Sequence, residues 1–425
     1  MVRATTRILA RQSTATQRRR DAYLVWLLSP FLSLVMAVRN YKAAWAKNVL
    51  WLFVVFYGFT FVVSNQQIDA NRYVLGLEKL SRQDATSFTE FFDMLYQKDT
   101  NYVDVLQPLV TFLVSRFTDD GRILYAVFGV IFGYFYSRNA AFLISFVRKK
   151  IRKEALIFLI TCLFVVSIWQ MNGFRFATAA HVFIFGLFNL FNERKAKGVL
   201  FCIGSVFVHF SFLMPLIILA IHLLVGNRLF VAFVLYFASF FATQVTPDLL
   251  KNYAGYLPGV FQERSAKYTS DAYLEAREEL AKRQVNWYVN GRVIALTYAT
   301  NVLLAIVFIR YRRHFSGLPV AAHLLSFSLY LFAAGNIFSS VPSVGIRFQL
   351  VSLMPLFAAL FLFVQAHSRM LFSKWVKVPF IAAALLFIIV EIRIGFDTTG
   401  VITLIGNPIV APFMDNQVPL ISLIK

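Results

Sequence analysis

The fold is decided by residues 171–214, which read MNGFRFATAAHVFIFGLFNLFNERKAKGVLFCIGSVFVHFSFLM. Two apolar runs flank the basic turn 193–197, and each run carries an ionisable side chain, Arg175 in the first and His209 in the second. Apolar runs joined by a short basic turn are typical of two membrane segments that meet on the cytoplasmic side. Because ionisable groups at membrane depth are costly, they mark functional sites. The stretch therefore predicts a functional site that contains Arg175 and His209.

Composition places the whole chain in a membrane. Of its 425 residues, 59% are hydrophobic and 17% aromatic, with 47 phenylalanines. Apolar windows of roughly 17–25 residues, the length that crosses about 30 Å of hydrocarbon, recur along it. The 42 Lys and Arg outnumber the 21 Asp and Glu, but they gather in short loops, which membrane topology explains better than nucleic-acid binding. Cys162 and Cys202 lie inside apolar runs, so neither a disulfide framework nor a thiolate metal site is predicted.

The first 44 residues form a separate basic unit. Basic residues flank the apolar segment 22–38 on both sides, and no small-x-small cleavage site follows it. This pattern predicts a re-entrant or interfacial hairpin with both ends in the cytoplasm rather than a cleaved signal peptide. The transmembrane bundle then covers residues 45–394.

Charge distribution predicts the topology of the bundle. Residues 64–104 and 244–290 hold seven and six of the 21 acids, whereas the dense basic clusters lie in the loops between. The positive-inside rule makes both long loops extracytoplasmic, and residues 395–425 follow as an extracytoplasmic tail. The run 199–225 is broken by His209-Phe210-Ser211 and Pro215, which favours a helical hairpin over one tilted, broken helix. The predicted fold is an all-α, multi-pass bundle of about 9–11 spans.

Several isolated charges fall at the predicted outer mouth of the bundle. They are Asp69, Arg72, Arg175, Arg292 and Arg347. The arginine guanidinium is forked and permanently charged, and it suits phosphate. Arg175, Arg292 and Arg347 together would make a pyrophosphate clamp. The alternative is that each arginine extends its charged end to the lipid headgroups.

His209 is the histidine at the break in the apolar run. It could act as a general base or donate a hydrogen bond to a sugar hydroxyl. Alternatively, it could satisfy a carbonyl freed by the break. The sequence contains no Asp-x-Asp, Walker or His-Glu-x-x-His motif, so no metal or other cofactor is predicted.

The order and spacing of these elements resemble the EpsG-like group of Wzy-type polysaccharide polymerases. The matching elements are Asp69 to Tyr73, then Tyr102 with Pro108 and Leu109, then Asn172-Gly173-Phe174-Arg175, His209-Phe210-Ser211 and Gly345-Ile346-Arg347-Phe348. Two elements depart from the family pattern: Arg175-Phe176 stands for Arg-Gln, and Leu106-Gln107-Pro108 for Tyr-Glu-Pro. These departures leave open whether the chain polymerises or transfers a single unit.

The resemblance implies a GT-C-like, metal-independent glycosyltransferase of the bacterial inner membrane. Its substrates would be polyprenyl-pyrophosphate-linked oligosaccharides, joined on the extracytoplasmic face, and its partners a chain-length regulator or other assembly proteins. Arg175, Arg347 and Arg292 would stabilise the leaving pyrophosphate, and Arg72 and Tyr73 would also bind substrate. The base would be His209 or Asp69.

Two other functions fit the same residues. A transporter or flippase for a lipid-linked saccharide would also need arginines in a membrane cavity. A membrane-bound acyltransferase that uses His209 would take its acyl donor from the cytoplasmic side. The absence of two repeating halves, which many transporter folds have, counts against transport.

Overall fold

A computed structural model provides the structure of the protein. It describes residues 16–63, 68–83, 88–95, 104–242, 252, 270, 286–341, 344–367, 373–414 and 418–424. These residues are almost entirely helical, and their extended contacts are limited to two isolated β-bridges. Most of the predicted loop 244–290 and Tyr102 lie outside the described residues.

The helices follow one another with short connections. The first part of the chain contains α1 (16–28), α2 (Pro30–Arg39), α3 (Ala46–Phe59), α4 (Ile68–Ser81), α5 (Phe88–Leu95), α6 (Leu106–Ser115), α7 (Gly121–Ser145), α8 (Lys153–Val165) and α9 (Phe174–Phe191). The second part contains α10 (Lys195–Val208), α11 (Leu213–Val225), α12 (Leu229–Ala238), α13 (Trp287–Ile306), α14 (Pro319–Ile337), α15 (Gly345–Ala366), α16 (Lys374–Gly395) and α17 (Val401–Ile405).

Within the described residues, six helical stretches are long and apolar enough to cross a membrane. They are Gly121–Ser145, Lys153–Phe191, Trp287–Gly317, Pro319–Ile337, Gly345–Ala366 and Lys374–Gly395. Shorter apolar helices, among them α3 and α12, accompany them. The prediction of an all-helical fold is confirmed for the described residues, and the six apolar stretches support the predicted transmembrane character. The number of spans, about 9–11, and the GT-C-like arrangement stay predictions.

Two pairs of antiparallel helices, each joined by a 3-10 turn, form two hairpins at the centre of the fold. The helices α8 and α9 are joined by a 3-10 turn, Ile168–Gly173, and α10 and α11 by a shorter one, Phe210–Phe212. The two ends of segment 195–225 lie at the same end of the bundle. Gly198, near its beginning, packs on Leu190, and the ring of His222, near its end, lies 5.6 Å from the Phe191 ring. Both contacts are near the end of α9, which agrees with the predicted hairpin.

The basic loops meet at the end of the bundle opposite the hairpin tips. There Lys42 Nζ donates a hydrogen bond to the carbonyl of Arg148 (2.8 Å), and Lys377 Nζ lies 3.8 Å from a carboxylate oxygen of Glu154. We call this the basic end and the end with the two hairpin tips the site end. The described basic loops that precede α3, α8 and α16 therefore lie at one end of the bundle.

The two terminal regions pack against the same bundle. Ser33 Oγ donates to the Ala22 carbonyl (2.8 Å), so α1 and α2 fold back on each other. At the site end, the Val62 amide donates to the Thr398 carbonyl (2.9 Å), and Phe61 pairs with Thr399 in a β-bridge. The chain after α16 thereby reaches the rim of the cavity described below.

Candidate functional site

A cavity of about 480 Å³ opens at the site end, between the tips of the two hairpins. Its walls come from α4, the 168–173 turn, the start of α9, the 209–212 break, the start of α15 and the segment after α16. The lining residues are Asp69, Tyr73, Trp169, Gln170, Asn172, Gly173, Arg175, Phe176, Ala177, His209, Arg347, Ile394, Asp397 and Thr398. The fold thus brings together Asp69, Tyr73, Arg175, His209 and Arg347 from the predicted site.

The carboxylate of Asp104 lies behind the cavity wall and organises it. It is fully buried and accepts a hydrogen bond from the Phe210 amide (2.7 Å). Its other oxygen lies 3.0 Å from His209 Nδ1 and 3.1 Å from Arg175 Nη1. One buried charge therefore fixes two side chains that reach the cavity from different hairpins, and burial makes such a group costly unless it is paired in this way.

The helix break at His209 explains why Asp104 is bound there. His209 ends α10 in an extended conformation (φ −151°, ψ 115°), so the next amide, that of Phe210, cannot continue the helical hydrogen bonds. Asp104 accepts from this freed amide. The side chain of His209 instead contacts the carboxylate, and it is not needed to satisfy the backbone at the break.

Asp104 also determines which ring nitrogen of His209 carries the proton. Burial alone would raise the pKa of Asp104, but the hydrogen bonds and charges from His209, the Phe210 amide and Arg175 outweigh it and leave this pKa below the ordinary value. A carboxylate only accepts hydrogen bonds, so Nδ1 of His209 carries a proton. In the neutral ring Nε2 then has a free lone pair, as a general base requires.

Tyr73 lies beside Arg175 in the cavity wall. Its hydroxyl is close enough to interact electrostatically with the Arg175 guanidinium, and its ring packs edge-on against Phe128 with centroids 5.7 Å apart. The carboxylate of Asp69, at the exposed rim, acts on the same guanidinium through its charge. Arg175 is therefore a fixed cation whose charge is partly offset by Asp104.

Arg347 differs from Arg175 in its environment. Its guanidinium lies over the Phe176 ring, 5.4 Å from the centroid, and the described residues include no carboxylate within ion-pair distance of it. Phe176 also contacts the His209 ring edge-on, at 5.7 Å between centroids. Phe176, which departs from the family pattern, thus supports both polar groups, and Arg347 keeps its charge available to an anion.

Arg292 and Arg72 are not brought to the cavity. Arg292 Nη2 lies 2.8 Å from Glu391 Oε1 in a buried ion pair with side-chain exposures of 15% and 4%. The second oxygen of Glu391 accepts from Trp169 Nε1 (3.2 Å), and Trp169 lines the cavity. Arg292 therefore does not line the cavity; it binds Glu391, which in turn holds the Trp169 indole in the cavity wall. Arg72 is exposed on α4.

Two acidic residues that fix the geometry of the site, Asp104 and Glu391, are not among the residues that the sequence predicts for it. In the sequence, Asp104 belongs to an acidic loop, where it is the last acid before an apolar helix. Glu391 is a lone acid in the apolar run 380–394, with no partner close in the sequence. An acid within a membrane segment needs a partner, so Glu391 could have been matched with a lone arginine in another span.

Among the described residues, no cluster of three His, Cys, Asp or Glu side chains could hold a metal ion. No protein-family model, curated protein or solved structure matches this chain. Functional inference therefore depends on the geometry of the cavity.

Proposed function

We propose that the chain is a membrane glycosyltransferase that joins polyprenyl-pyrophosphate-linked oligosaccharides on the extracytoplasmic face of a bacterial inner membrane. The observation that carries the proposal is the pairing of His209 with buried Asp104 beside the cavity that Arg347 also lines. A base oriented by a carboxylate, next to a cation free to bind an anion, suits transfer from a phosphate leaving group to a hydroxyl.

In the proposed reaction, a hydroxyl of the acceptor sugar attacks the anomeric carbon of the donor. Its proton passes to Nε2 of His209 while the new glycosidic bond forms. The bond between the anomeric carbon and the pyrophosphate oxygen breaks, and its electron pair leaves with the pyrophosphate. Asp104 keeps Nδ1 protonated and stabilises the imidazolium that results.

Arg347 stabilises the charge that develops on the leaving pyrophosphate. Its guanidinium is supported by the Phe176 ring, so it is positioned before the substrate arrives. Such prearranged donors are typically worth about 10²–10³ in kcat. Arg175 adds a second positive group at a fixed position, since Asp104 holds it.

Neutral groups of the cavity suit a sugar. Asn172 lines the cavity, and its Oδ1 is a buried acceptor with no hydrogen-bond partner among the described residues. The indole of Trp169 is fixed by Glu391 beside it. A free acceptor next to a rigid aromatic ring could hold a hydroxylated ring, and a buried unpaired polar atom calls for a partner of this kind.

The position of the site favours glycosyl transfer over acyl transfer. His209 lies at the end opposite the basic loops, whereas an acyltransferase would meet its acyl donor at the basic, cytoplasmic end. If the site end faces outside, His209 meets substrates that have already crossed the membrane.

Complementation in the native host tests the proposal. The gene is deleted and replaced with wild type, His209→Gln, Asp69→Asn, Arg347→Ala or the control Arg72→Ala at matched membrane levels, and lipid-linked glycans are separated on a gel. Arg72 is an exposed arginine near the site but outside the cavity. We expect unextended oligosaccharide to accumulate with His209→Gln and Arg347→Ala, and wild-type products with Arg72→Ala.

The other outcomes distinguish His209 from Asp69 as the general base, and glycosyl transfer from lipid flipping. If Asp69→Asn abolishes transfer and His209→Gln does not, Asp69 is the base. Wild-type glycan lengths in the deletion strain would contradict the proposal. Oligosaccharides trapped on the cytoplasmic leaflet would instead indicate a flippase.

A further inference from the structure

A second cavity, of about 700 Å³, lies at the basic end, far from the candidate site. It is formed where the end of α7, the loop to α8, the start of α14 and the end of α15 meet. Its lining residues are Phe146, Arg148, Lys149, Lys150, Arg152, Leu318, Pro319, Val320, Ala321, Leu362, Gln365 and Ala366. Seven of these twelve residues are apolar, and four are cationic.

The loop that carries the charge has a defined position. Gln365, near the end of α15, donates from Nε2 to the Lys150 carbonyl (3.0 Å) and accepts at Oε1 from the Arg152 amide (3.0 Å). The Arg152 guanidinium is bound to the His367 carbonyl. These contacts fix the loop backbone on both sides of Ile151, so the cationic rim is built into the fold.

Three cations of the rim have no carboxylate partner among the described residues. Arg148, Lys149 and Lys150 are exposed and follow one another in sequence. The described part of the chain brings no carboxylate within ion-pair distance of them, whereas nearby Lys377 is matched by Glu154. Three adjacent like charges repel one another, and an anion in the cavity would relieve that repulsion.

The apolar wall narrows the class of anion. Val320 and Leu362 lie within α14 and α15, Phe146 directly follows α7, and Leu318 directly precedes α14. All three helices are long and apolar enough to span the membrane. A free phosphate would leave this wall without a partner. A phospholipid satisfies both parts, since its phosphate meets the cations and its acyl chains meet the wall. Basic pockets between membrane helices are known to bind anionic lipids in this way.

We propose that this cavity binds the headgroup of an anionic phospholipid from the leaflet at the basic end. Arg148, Lys149 and Lys150 contact the phosphate, and the acyl chains lie along Phe146, Leu318 and Leu362. The bound lipid bridges the α7–α8 loop to α14 and α15. The site is independent of the glycosyl transfer proposed above.

Native mass spectrometry of the full-length protein in detergent tests this site. The protein is titrated with phosphatidylglycerol and, separately, with zwitterionic phosphatidylethanolamine of the same acyl chains. The test variant is Arg148→Gln with Lys149→Gln, and the matched control is Arg194→Gln with Lys195→Gln. Both variants remove one arginine and one lysine from exposed positions in predicted cytoplasmic loops, and the control pair lies outside the cavity.

We expect phosphatidylglycerol to bind the wild type in preference to phosphatidylethanolamine. The test variant should bind it about 25-fold more weakly, about fivefold for each charge, and the control should match the wild type. Because the changed side chains are exposed, both variants should keep the wild-type melting temperature without lipid. Lys150→Gln alone provides a milder variant, expected to lose about fivefold.

Three outcomes would overturn the proposal. Equal weakening in both double variants would show that net surface charge attracts the lipid. Equal binding of the two lipids would show that the headgroup is not recognised. In a third titration, with inorganic phosphate, binding as tight as that of phosphatidylglycerol would indicate a site for soluble phosphate.

Discussion

Asp104 is the residue on which the others in the candidate site depend. It satisfies the Phe210 amide, orients His209 and offsets the charge of Arg175. Loss of its charge would leave His209 without a fixed orientation and place Arg175 in a partly buried site without its carboxylate. Breaking such a buried pair is typically costly, at about 3–5 kcal/mol when one partner is removed.

We therefore expect Asp104→Asn to lower glycan transfer by about 100-fold or more, because the general base loses its orientation. Asparagine keeps one acceptor oxygen for the Phe210 amide, so the fold should persist. The measurement is the rate at which lipid-linked oligosaccharide is extended in membranes. Asp119→Asn, which makes the same change at an exposed aspartate outside the cavity, should act like wild type. Full activity of Asp104→Asn would exclude Asp104 as the positioning group.

The lowered pKa of Asp104 also predicts a pH dependence of stability. A carboxyl whose pKa is lowered by folding stabilises the protein above its unfolded pKa, about 4, and this contribution is lost as the pH falls through the folded value. The melting-temperature gap between wild type and Asp104→Asn should thus be largest near neutral pH. It should narrow as the pH is lowered toward about 3. A gap that widens on acidification would contradict this account.

The relation of α9 to α10 sets the distance between Arg175 and His209. These helices approach closely at two glycines: a Cβ at Gly198 would lie 2.4 Å from the Leu190 nitrogen, and one at Gly186 would lie 2.6 Å from Cys202 Sγ. Small residues let membrane helices pack backbone to backbone. The hairpins can therefore present both ionisable groups to the same buried carboxylate.

Gly198→Ala should force α9 and α10 apart. Overpacking of this kind costs about 1–3 kcal/mol, and we expect a lower melting temperature together with reduced transfer. Gly204→Ala on the same helix is the matched control, since a Cβ there meets nothing within 4 Å. It should keep or slightly raise stability, because alanine favours helix more than glycine does. Equal destabilisation by both changes would mean that helix propensity, not packing, is being measured.

The helical elements were easier to predict than the contacts between them. Apolar length and the polar break at 209–211 were sufficient for the hairpin of α10 and α11. The partner of His209 was not predictable in this way, because Asp104 is 105 residues away in the sequence and lies in a loop. The position of Arg292 in the sequence predicts that it belongs to the phosphate clamp, but the structure pairs it with Glu391, 99 residues later. Periodicity locates a residue on an element, whereas only packing decides which partner it meets.

On the scale of the whole molecule, the separation of the basic end from the site end predicts the orientation in the membrane. Both native cysteines are buried, so engineered cysteines can be labelled against a silent background. Arg72→Cys at the site end and Lys149→Cys at the basic end occupy exposed positions. A membrane-impermeant maleimide added to intact cells should label only Arg72→Cys, because the positive-inside rule places the basic end in the cytoplasm.

Permeabilised cells provide the control for that experiment, since both variants should then react. Labelling of Lys149→Cys alone in intact cells would invert the orientation. The candidate site would then face the cytoplasm, and glycosyl transfer on the outer face would be contradicted.

The docking of Asp104 onto the second hairpin has a consequence for biosynthesis. The Val105 amide donates to the Phe207 carbonyl (3.0 Å), and Asp104 contacts His209, which is synthesised 105 residues later. At about 5–20 residues per second, the ribosome needs roughly 5–20 s to supply that partner. Until then Asp104 must stay hydrated at the membrane surface, because burying it alone would be prohibitive. Asp104 can therefore be buried against His209 only after the second hairpin has been inserted. Assembly of the site is thus a late step in the maturation of the nascent chain.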